Sequence, residues 1–234
     1  MPDFDLDRLA AYLHLSPAQV ARLADRGNLP GRKVAGEWRF SPSEIHHWLE
    51  DRIGASGEAE LVQMEEVLRR AAGPDDDVMS IADMLPIEAI AIPLAARTRN
   101  SVISSMVDLA ASTGLLWDTP KMVEAVQTRE EMQPTALDNG VALLHPRRPM
   151  PSLLAQPLLA LGRTSQGIPF GGSRSQLTDV FFLICSIDDR GHLRTLARLS
   201  RLIGDAGVLD VIRTAPDSAT ARQAIVNAEQ ALAE

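Results

Sequence analysis

His145 stands at the end of the run Asn139-Gly140-Val141-Ala142-Leu143-Leu144 and is followed by Pro146-Arg147-Arg148. A neutral imidazole is a competent nucleophile toward a phosphoryl group, and cations beside it stabilise the charge on the transferring oxygens. Arg147 and Arg148 offer guanidinium donors of the planar form that suits phosphate. The segment reads as a turn, a short buried strand and an exposed imidazole. Pro146 has no N–H to give a sheet ladder, so the strand should stop at His145 and present its ring at a sheet end.

The elements around it can position that ring. Thr128-Arg129-Glu130-Glu131 closes a helix that opens with Thr119 as N-cap and Pro120 at its first position. Pro134-Thr135 then leads into the histidine strand, and Asp179 to Cys185 is a second buried-strand run. After a polar turn comes Gly191-His192, at the first turn of a helix with Leu193, Leu196, Ala197, Ser200 and Ile203 on one face. A helix N-terminus gathers anions and disfavours a protonated imidazole, which suits His192 as a neutral neighbour of phosphate. Each residue also has a plain structural reading: His192 as a capping or surface histidine, Arg129 as a partner of the helix C-terminal dipole, Thr135 as a turn residue.

In order, these are a helix ending in Arg-Glu, a Thr, a Gly-apolar strand ending in His, a Phe-rich strand and a His-Leu helix start. The constellation resembles the enzyme IIA domain of the phosphoenolpyruvate-dependent phosphotransferase system, of the fructose/mannitol/nitrogen-regulatory type, over roughly residues 86–232. The resemblance implies an α/β fold, a mixed sheet flanked by helices, with an amphipathic first helix from Ser101 to Ala111. It implies that His145 takes a phosphoryl group from a histidine-containing phosphocarrier protein and that His192 helps orient the phosphate. Arg129 and Thr135 match positions lining the site, and no cofactor is expected. Three positions depart from the family pattern. Leu144 replaces the Pro before the histidine, Ala136 replaces the Gly after the Thr, and Gly171-Gly172-Ser173-Arg174 replaces an Asp-Gly turn. Two alternatives stay open: a phosphoryl-relay component of sugar transport, and a regulator that binds partner proteins with His145 idle.

A second set of signals fills the N-terminus. Leu6, Leu9, Ala10 and Leu13 make a short amphipathic helix. Ser16-Pro17-Ala18-Gln19 gives an N-cap, a first-turn proline and a Gln able to close a capping box. The helix from Pro17 to Asp25 turns Val20, Leu23 and Ala24 inward and Gln19, Arg22 and Arg26 outward, and Gly27-Asn28 ends it. Lys33 to Phe40 alternates around a Gly turn and reads as a hairpin. Ser41-Pro42-Ser43-Glu44 forms a second capping box, opening a helix with Ile45, Trp48 and Leu49 on its apolar side.

Helix, turn, helix, hairpin and helix make a small winged helix-turn-helix domain. It resembles the excisionase and MerR-type DNA-binding domain through Ala11-Tyr12-Leu13-His14-Leu15-Ser16, Gly27-Asn28-Leu29-Pro30 and Trp38-Arg39-Phe40. The resemblance implies that the second helix enters the major groove with Gln19, Arg22 and Arg26 facing bases and backbone. Arg32, Lys33 and Arg39 then belong to wing and backbone contacts. Residues 1–53 carry seven Lys/Arg and eight Asp/Glu, a net of −1. Any basic face is therefore local, and a protein-interaction module is the other reading. His46 and His47 are adjacent and splay apart on a helix, so no metal site is expected from them.

The 234 residues, with a net charge of −8, divide on these motifs into a winged domain (1–53), a linker helix (54–78) and an enzyme IIA-like domain (79–234). Within the linker, Leu61, Met64, Val67 and Leu68 form an apolar stripe that either pairs two protomers as a homodimer or packs on its own domain. Cys185 is the single cysteine, which excludes an intramolecular disulfide and a cysteine-based zinc cage. No apolar stretch reaches the length of a membrane span, and Met1-Pro2-Asp3-Phe4 does not open a signal segment. A cytoplasmic address without membrane insertion is expected. Taken together, the sequence predicts a DNA-binding regulator that senses phosphotransferase flux.

Overall fold

The computed structural model describes residues 3–13, 15–55, 60–62, 65, 80–171 and 176–232. The chain divides into two compact units, Met1–Asp77 and Val78–Glu234.

In the first unit, α1 (Leu6–Leu13) packs against α2 (Pro17–Asp25). The Ser16 side chain caps α2 by accepting from Gln19 N–H, while Gln19 Oε1 accepts from Ser16 N–H at 2.8 Å, so the capping box forms as the sequence predicts. Gly27 leaves the helix at φ +72°, the left-handed conformation that suits glycine after a helix end. Strands β1 (Arg32–Val34) and β2 (Glu37–Arg39) form an antiparallel hairpin. Its two turn residues, Ala35 and Gly36, both have positive φ, as a two-residue hairpin loop requires. Phe4 and Phe40 exchange backbone hydrogen bonds at 2.9 and 3.0 Å and extend this small sheet by one bridge. Helix α3 (Pro42–Ala55) follows, with Ile45, Leu49 and Ile53 buried at helical spacing. Ser41 Oγ pairs with Ser43 Oγ at 2.9 Å. Most of the expected linker, including Met64, Val67 and Leu68 of its apolar stripe, lies outside the described residues.

The second unit opens with α4 (Ile81–Met84) and continues through β3 (Ile90–Ala91), α5 (Arg99–Ala111), α6 (Thr119–Met132), β4 (Val141–Leu144), β5 (Leu158–Pro169) and β6 (Leu177–Cys185). It ends in α7 (Asp189–Gly204), α8 (Ala206–Thr214) and α9 (Ser218–Ala231). The sheet order is β3-β5-β6-β4, with β5 and β6 antiparallel and both flanking pairs parallel. It is the mixed α/β sheet that the sequence leads one to expect.

Two helix starts differ from the sequence reading. Thr98 caps α5 by accepting from Ser101 N–H, so the helix begins at Arg99 rather than Ser101. Asp118 caps α6 by accepting from Lys121 N–H, which makes Thr119 and Pro120 its first two residues. The carboxylate one step upstream is the stronger acceptor and takes the cap from the Thr119 hydroxyl.

Successive strand residues face opposite sides of the sheet. Ala142, Leu144, Ala160, Phe181, Leu183 and Cys185 join a core with Val102, Ile103, Met106 and Val107 of α5 and Met122 and Val126 of α6. Gly162 admits that approach, because a Cβ there would meet Met106 Sδ at 2.6 Å. Leu143, Leu159, Val180, Phe182 and Ile184 are equally buried on the opposite face, as are Leu193, Leu196 and Ala197 of α7. Burial pushes the Cys185 thiol up to about 12. Among the described residues no helix is long and apolar enough to cross a membrane.

Candidate functional site

Strand β4 is an edge strand, and its start is fixed by a glycine and an arginine. Gly140 has φ +81°. Arg213 of α8 donates from Nε and Nη2 to the Asp179 carboxylate at 3.0–3.1 Å, and from Nη2 to the Asn139 carbonyl at 2.6 Å. Asn139 in turn donates from Nδ2 to the Ile203 carbonyl at 3.0 Å, tying the strand start to the far end of α7. Four buried residues later β4 ends at Leu144, and His145 follows at the sheet end as predicted.

The imidazole is held in a defined tautomer. His145 Nδ1 lies 2.7 Å from the Leu143 carbonyl oxygen. A carbonyl only accepts, so Nδ1 carries the proton and, in the neutral ring, Nε2 carries the lone pair. The His192 ring lies 5.0 Å away between centroids, tilted by 57°, and its Nδ1 is 3.1 Å from Ser186 Oγ. The sequence reading of an exposed imidazole is corrected here: His145 is 3 % exposed and His192 1 %. The tight turn back onto the Leu143 carbonyl and the packing of the two rings against each other draw His145 inward.

His192 is the fourth residue of α7, whose N-cap is Asp188; the Asp188 carboxylate accepts from Gly191 N–H at 2.8 Å. The chain thus supplies its own anion at this helix start, with Asp189 adding a second acid in the first turn. An anion-gathering role for that terminus, expected from sequence, is correspondingly weakened.

A buried polar cluster closes the other side. Arg129, 4 % exposed, donates from Nη1 to the Gln133 carbonyl at 2.8 Å, in the last turn of α6. Its neighbour Glu130, 1 % exposed, accepts from Thr135 N–H at 3.1 Å, from the Thr135 hydroxyl, and from Arg99 Nη2 at 3.0 Å. Arg99 Nη2 also donates to the Glu130 backbone carbonyl. Thr135 reaches the histidine through the backbone, because its carbonyl accepts from Leu143 N–H at 3.3 Å. Arg147 stands apart from this cluster. It and Arg148 are exposed and, among the described residues, have no hydrogen-bond or ion-pair partner.

Sequence reasoning assigned no role to Arg99, Glu130 or Ser186. A signal for Glu130 was present: Met122, Val126 and Glu130 share one face of α6 at four-residue spacing, so a carboxylate sits on a buried stripe. Arg99 and Ser186 come from other elements, and no local pattern points to them.

In the winged unit, Arg22 and Arg26 are exposed on and just after α2, with Arg22 Nε donating to the Ala18 carbonyl at 3.2 Å. The Gln19 oxygen is engaged in the helix cap, which leaves its amide nitrogen for any further contact. Arg32 pairs with Asp3 at 2.7 Å and Lys33 with Asp25 at 3.3 Å, while Lys33 also lies 4.9 Å over the Trp38 ring. Arg39 is half-buried and donates to the Trp38 carbonyl at 3.0 Å.

Comparison with known proteins places both units. Residues 83–228, more than half of the chain, match the family described as phosphoenolpyruvate-dependent sugar phosphotransferase system, EIIA 2. Residues 4–53 match a helix-turn-helix domain family. The chain is 27 % identical over 127 residues to the fructose-specific EIIABC component of Bacillus subtilis, spanning 53 % of this chain and only 20 % of that protein. It is 30 % identical over 144 residues to a nitrogen regulatory protein of Bradyrhizobium diazoefficiens, spanning 60 % of this chain and 90 % of that one. The nitrogen regulatory protein IIA-Ntr of Neisseria meningitidis shares the fold, with a TM-score of 0.55 at 19 % identity over 62 % of this chain and 98 % of that one. The chain belongs to the EIIA type 2 family of the phosphoenolpyruvate-dependent sugar phosphotransferase system, and carries an N-terminal helix-turn-helix domain.

Proposed function

We propose that this protein is a DNA-binding regulator whose enzyme IIA domain accepts a phosphoryl group on His145 from a histidine-containing phosphocarrier protein. The observation that carries the reading is the hydrogen bond from His145 Nδ1 to the Leu143 carbonyl, which leaves the Nε2 lone pair as the nucleophile. As Nε2 forms its bond to phosphorus, the donor's phosphorus–nitrogen bond breaks and its electron pair returns to the donor ring, while the proton stays on Nδ1, hydrogen-bonded to the Leu143 carbonyl. His192, held by Ser186, stands beside the acceptor ring to orient the phosphoryl oxygens. Arg129 and Thr135 shape the wall behind it, and the exposed Arg147 meets the incoming anion.

The winged unit binds DNA through Gln19, Arg22 and Arg26 on the α2 side and Arg32, Lys33 and Arg39 on the wing side. A phosphoryl group adds close to two negative charges and strong acceptor oxygens, enough to reorder contacts near it and make DNA binding report phosphotransferase flux.

The test is intact-protein mass after incubation with phosphoenolpyruvate, enzyme I and the phosphocarrier protein, on wild type and His145→Ala. The expected result is one acid-labile phosphoryl adduct on wild type and none on the variant. No adduct on wild type, with the donor active on a control acceptor, refutes phosphoryl acceptance and favours a protein-binding regulator. Rapid onward transfer from the phosphorylated protein to an enzyme IIB would instead favour a transport relay.

A further inference from the structure

The segment before β4 runs antiparallel to it and covers its open edge. Ala136 bridges Ala142, Leu137 N–H donates to the Val141 carbonyl at 2.8 Å, and Leu143 N–H donates to the Thr135 carbonyl at 3.3 Å. In this register Thr135 stands opposite Leu143 as a hydrogen-bonded pair, and such a pair normally exchanges two bonds. Here the second one is missing. Thr135 N–H points to the Glu130 carboxylate, at 3.1 and 3.3 Å from its two oxygens, and the Leu143 carbonyl accepts from His145 Nδ1 at 2.7 Å.

We propose that Glu130 is a positioning residue for the acceptor histidine: by taking Thr135 N–H out of the edge ladder, it reserves the Leu143 carbonyl for His145 Nδ1 and so sets Nε2 as the nucleophile. The inference rests on His145 being the acceptor and adds how its tautomer is selected. Glu130 is equipped for the task. Its carboxylate also accepts from the Thr135 hydroxyl, and the Arg99 guanidinium, 3.0 Å away, holds one oxygen in place. Arg99 is itself steadied over the Phe170 ring, 5.5 Å from its centroid. A backbone N–H aimed at a buried carboxylate makes a stronger bond than one aimed at a neutral carbonyl, so Glu130 wins the competition for Thr135. Without it, Thr135 N–H would close the ladder on Leu143, and His145 Nδ1 would lose its sole claim on that carbonyl.

The experiment is nitrogen-15 NMR of the His145 ring in the full-length protein, which reads the tautomer directly and does not depend on any phosphoryl donor. Wild type should show Nδ1 protonated and Nε2 bare. Glu130→Ala should move the ring toward the opposite tautomer and slow phosphorylation about tenfold, the effect of losing one selective hydrogen bond. Glu130→Gln is measured if the alanine variant does not fold. Arg99 claims the single amide oxygen there, Thr135 N–H is released again, and the same shift is expected. An unchanged tautomer in a folded Glu130 variant overturns the proposal, whether or not the rate falls. A wild-type protein that has the expected tautomer yet takes no phosphoryl group defeats the acceptor reading alone, because the tautomer comparison still decides the role of Glu130.

Discussion

Arg213 occupies the space beside Gly140, so close that a Cβ on the glycine would lie 2.8 Å from Nη2. The same Cβ would stand 3.3 Å from the Leu177 carbonyl, on a backbone already at φ +81°. The glycine therefore serves two needs at once, the left-handed turn into β4 and the seat of the guanidinium that clamps Asn139 to Asp179. Gly140→Ala should destabilise the second unit by about 2–3 kcal/mol, combining backbone strain with a displaced ion pair. Arg213→Ala should cost about 1–2 kcal/mol, since Asp179 is partly open to water and can be rehydrated. Because one clamp is lost in both, the double variant should cost clearly less than the sum of the two. Urea unfolding of the four proteins checks this, and simple additivity would separate the two residues.

Arg147 and Arg148 are exposed cations without an internal partner among the described residues, so removing them should leave the fold alone. Changing both to Ala should shift stability by no more than about 0.5 kcal/mol. Phosphorylation should nonetheless require several-fold more donor, and the penalty should shrink as salt rises and screens the attraction. Initial rates against donor concentration at low and high ionic strength test the pair. Unaltered donor dependence would remove both arginines from the site.

Much of this arrangement was legible in the sequence. The buried run ending at Pro146 marks the histidine strand, because a proline without an N–H must end a ladder. Ser16 and Gln19 announce the cap of α2, because both partners of a capping box lie three residues apart in the chain. What stayed hidden depends on distant partners. The burial of His145 comes from a carbonyl two residues back and a ring on another element, neither of which leaves a periodic trace. Asp118 displaced Thr119 as a cap because a charged acceptor outcompetes a neutral one, a contest that a list of capping residues does not decide. Glu130 lay in plain view in the Arg-Glu step, yet its use rests on Thr135 folding back against β4, which only the register of the edge reveals.

The cations of the winged unit fall into two groups with different expected effects on DNA. Arg22 and Arg26 face solvent and, among the described residues, have no carboxylate partner, whereas Arg32 and Lys33 are paired with Asp3 and Asp25. A cation already neutralised must give up its pair before it can displace a counterion from DNA. Arg22→Ala and Arg26→Ala should each weaken binding to a random-sequence duplex and lower the salt slope by about one unit. Arg32→Ala and Lys33→Ala should do less. Fluorescence anisotropy across a salt series gives all four slopes, and equal losses at every position would undo the distinction.

Glu229 should make the second unit acid-sensitive in a way that can be assigned to one residue. Buried in α9, it accepts from Ser80 Oγ at 2.6 Å, from Ile81 and Ala82 N–H at 2.8 and 2.9 Å, and from Arg198 Nε at 2.7 Å. Burial alone would raise its pKa, but the four donors outweigh that and hold the carboxyl below the ordinary carboxylate range. A group whose folded pKa is depressed contributes stability that is fully present above its unfolded pKa and is lost as pH falls through the folded value. Glu229→Gln should therefore cost about 2–3 kcal/mol at neutral pH, where it weakens the α4 start and removes the charge that Arg198 Nε meets. The gap between wild type and variant should stay constant down to the ordinary carboxylate range. Below it, the gap should close as wild-type Glu229 takes up its proton. Urea midpoints of both proteins from neutral pH into the acid range trace that curve, and a gap that persists unchanged in acid would mean that packing, not charge, accounts for the role of Glu229.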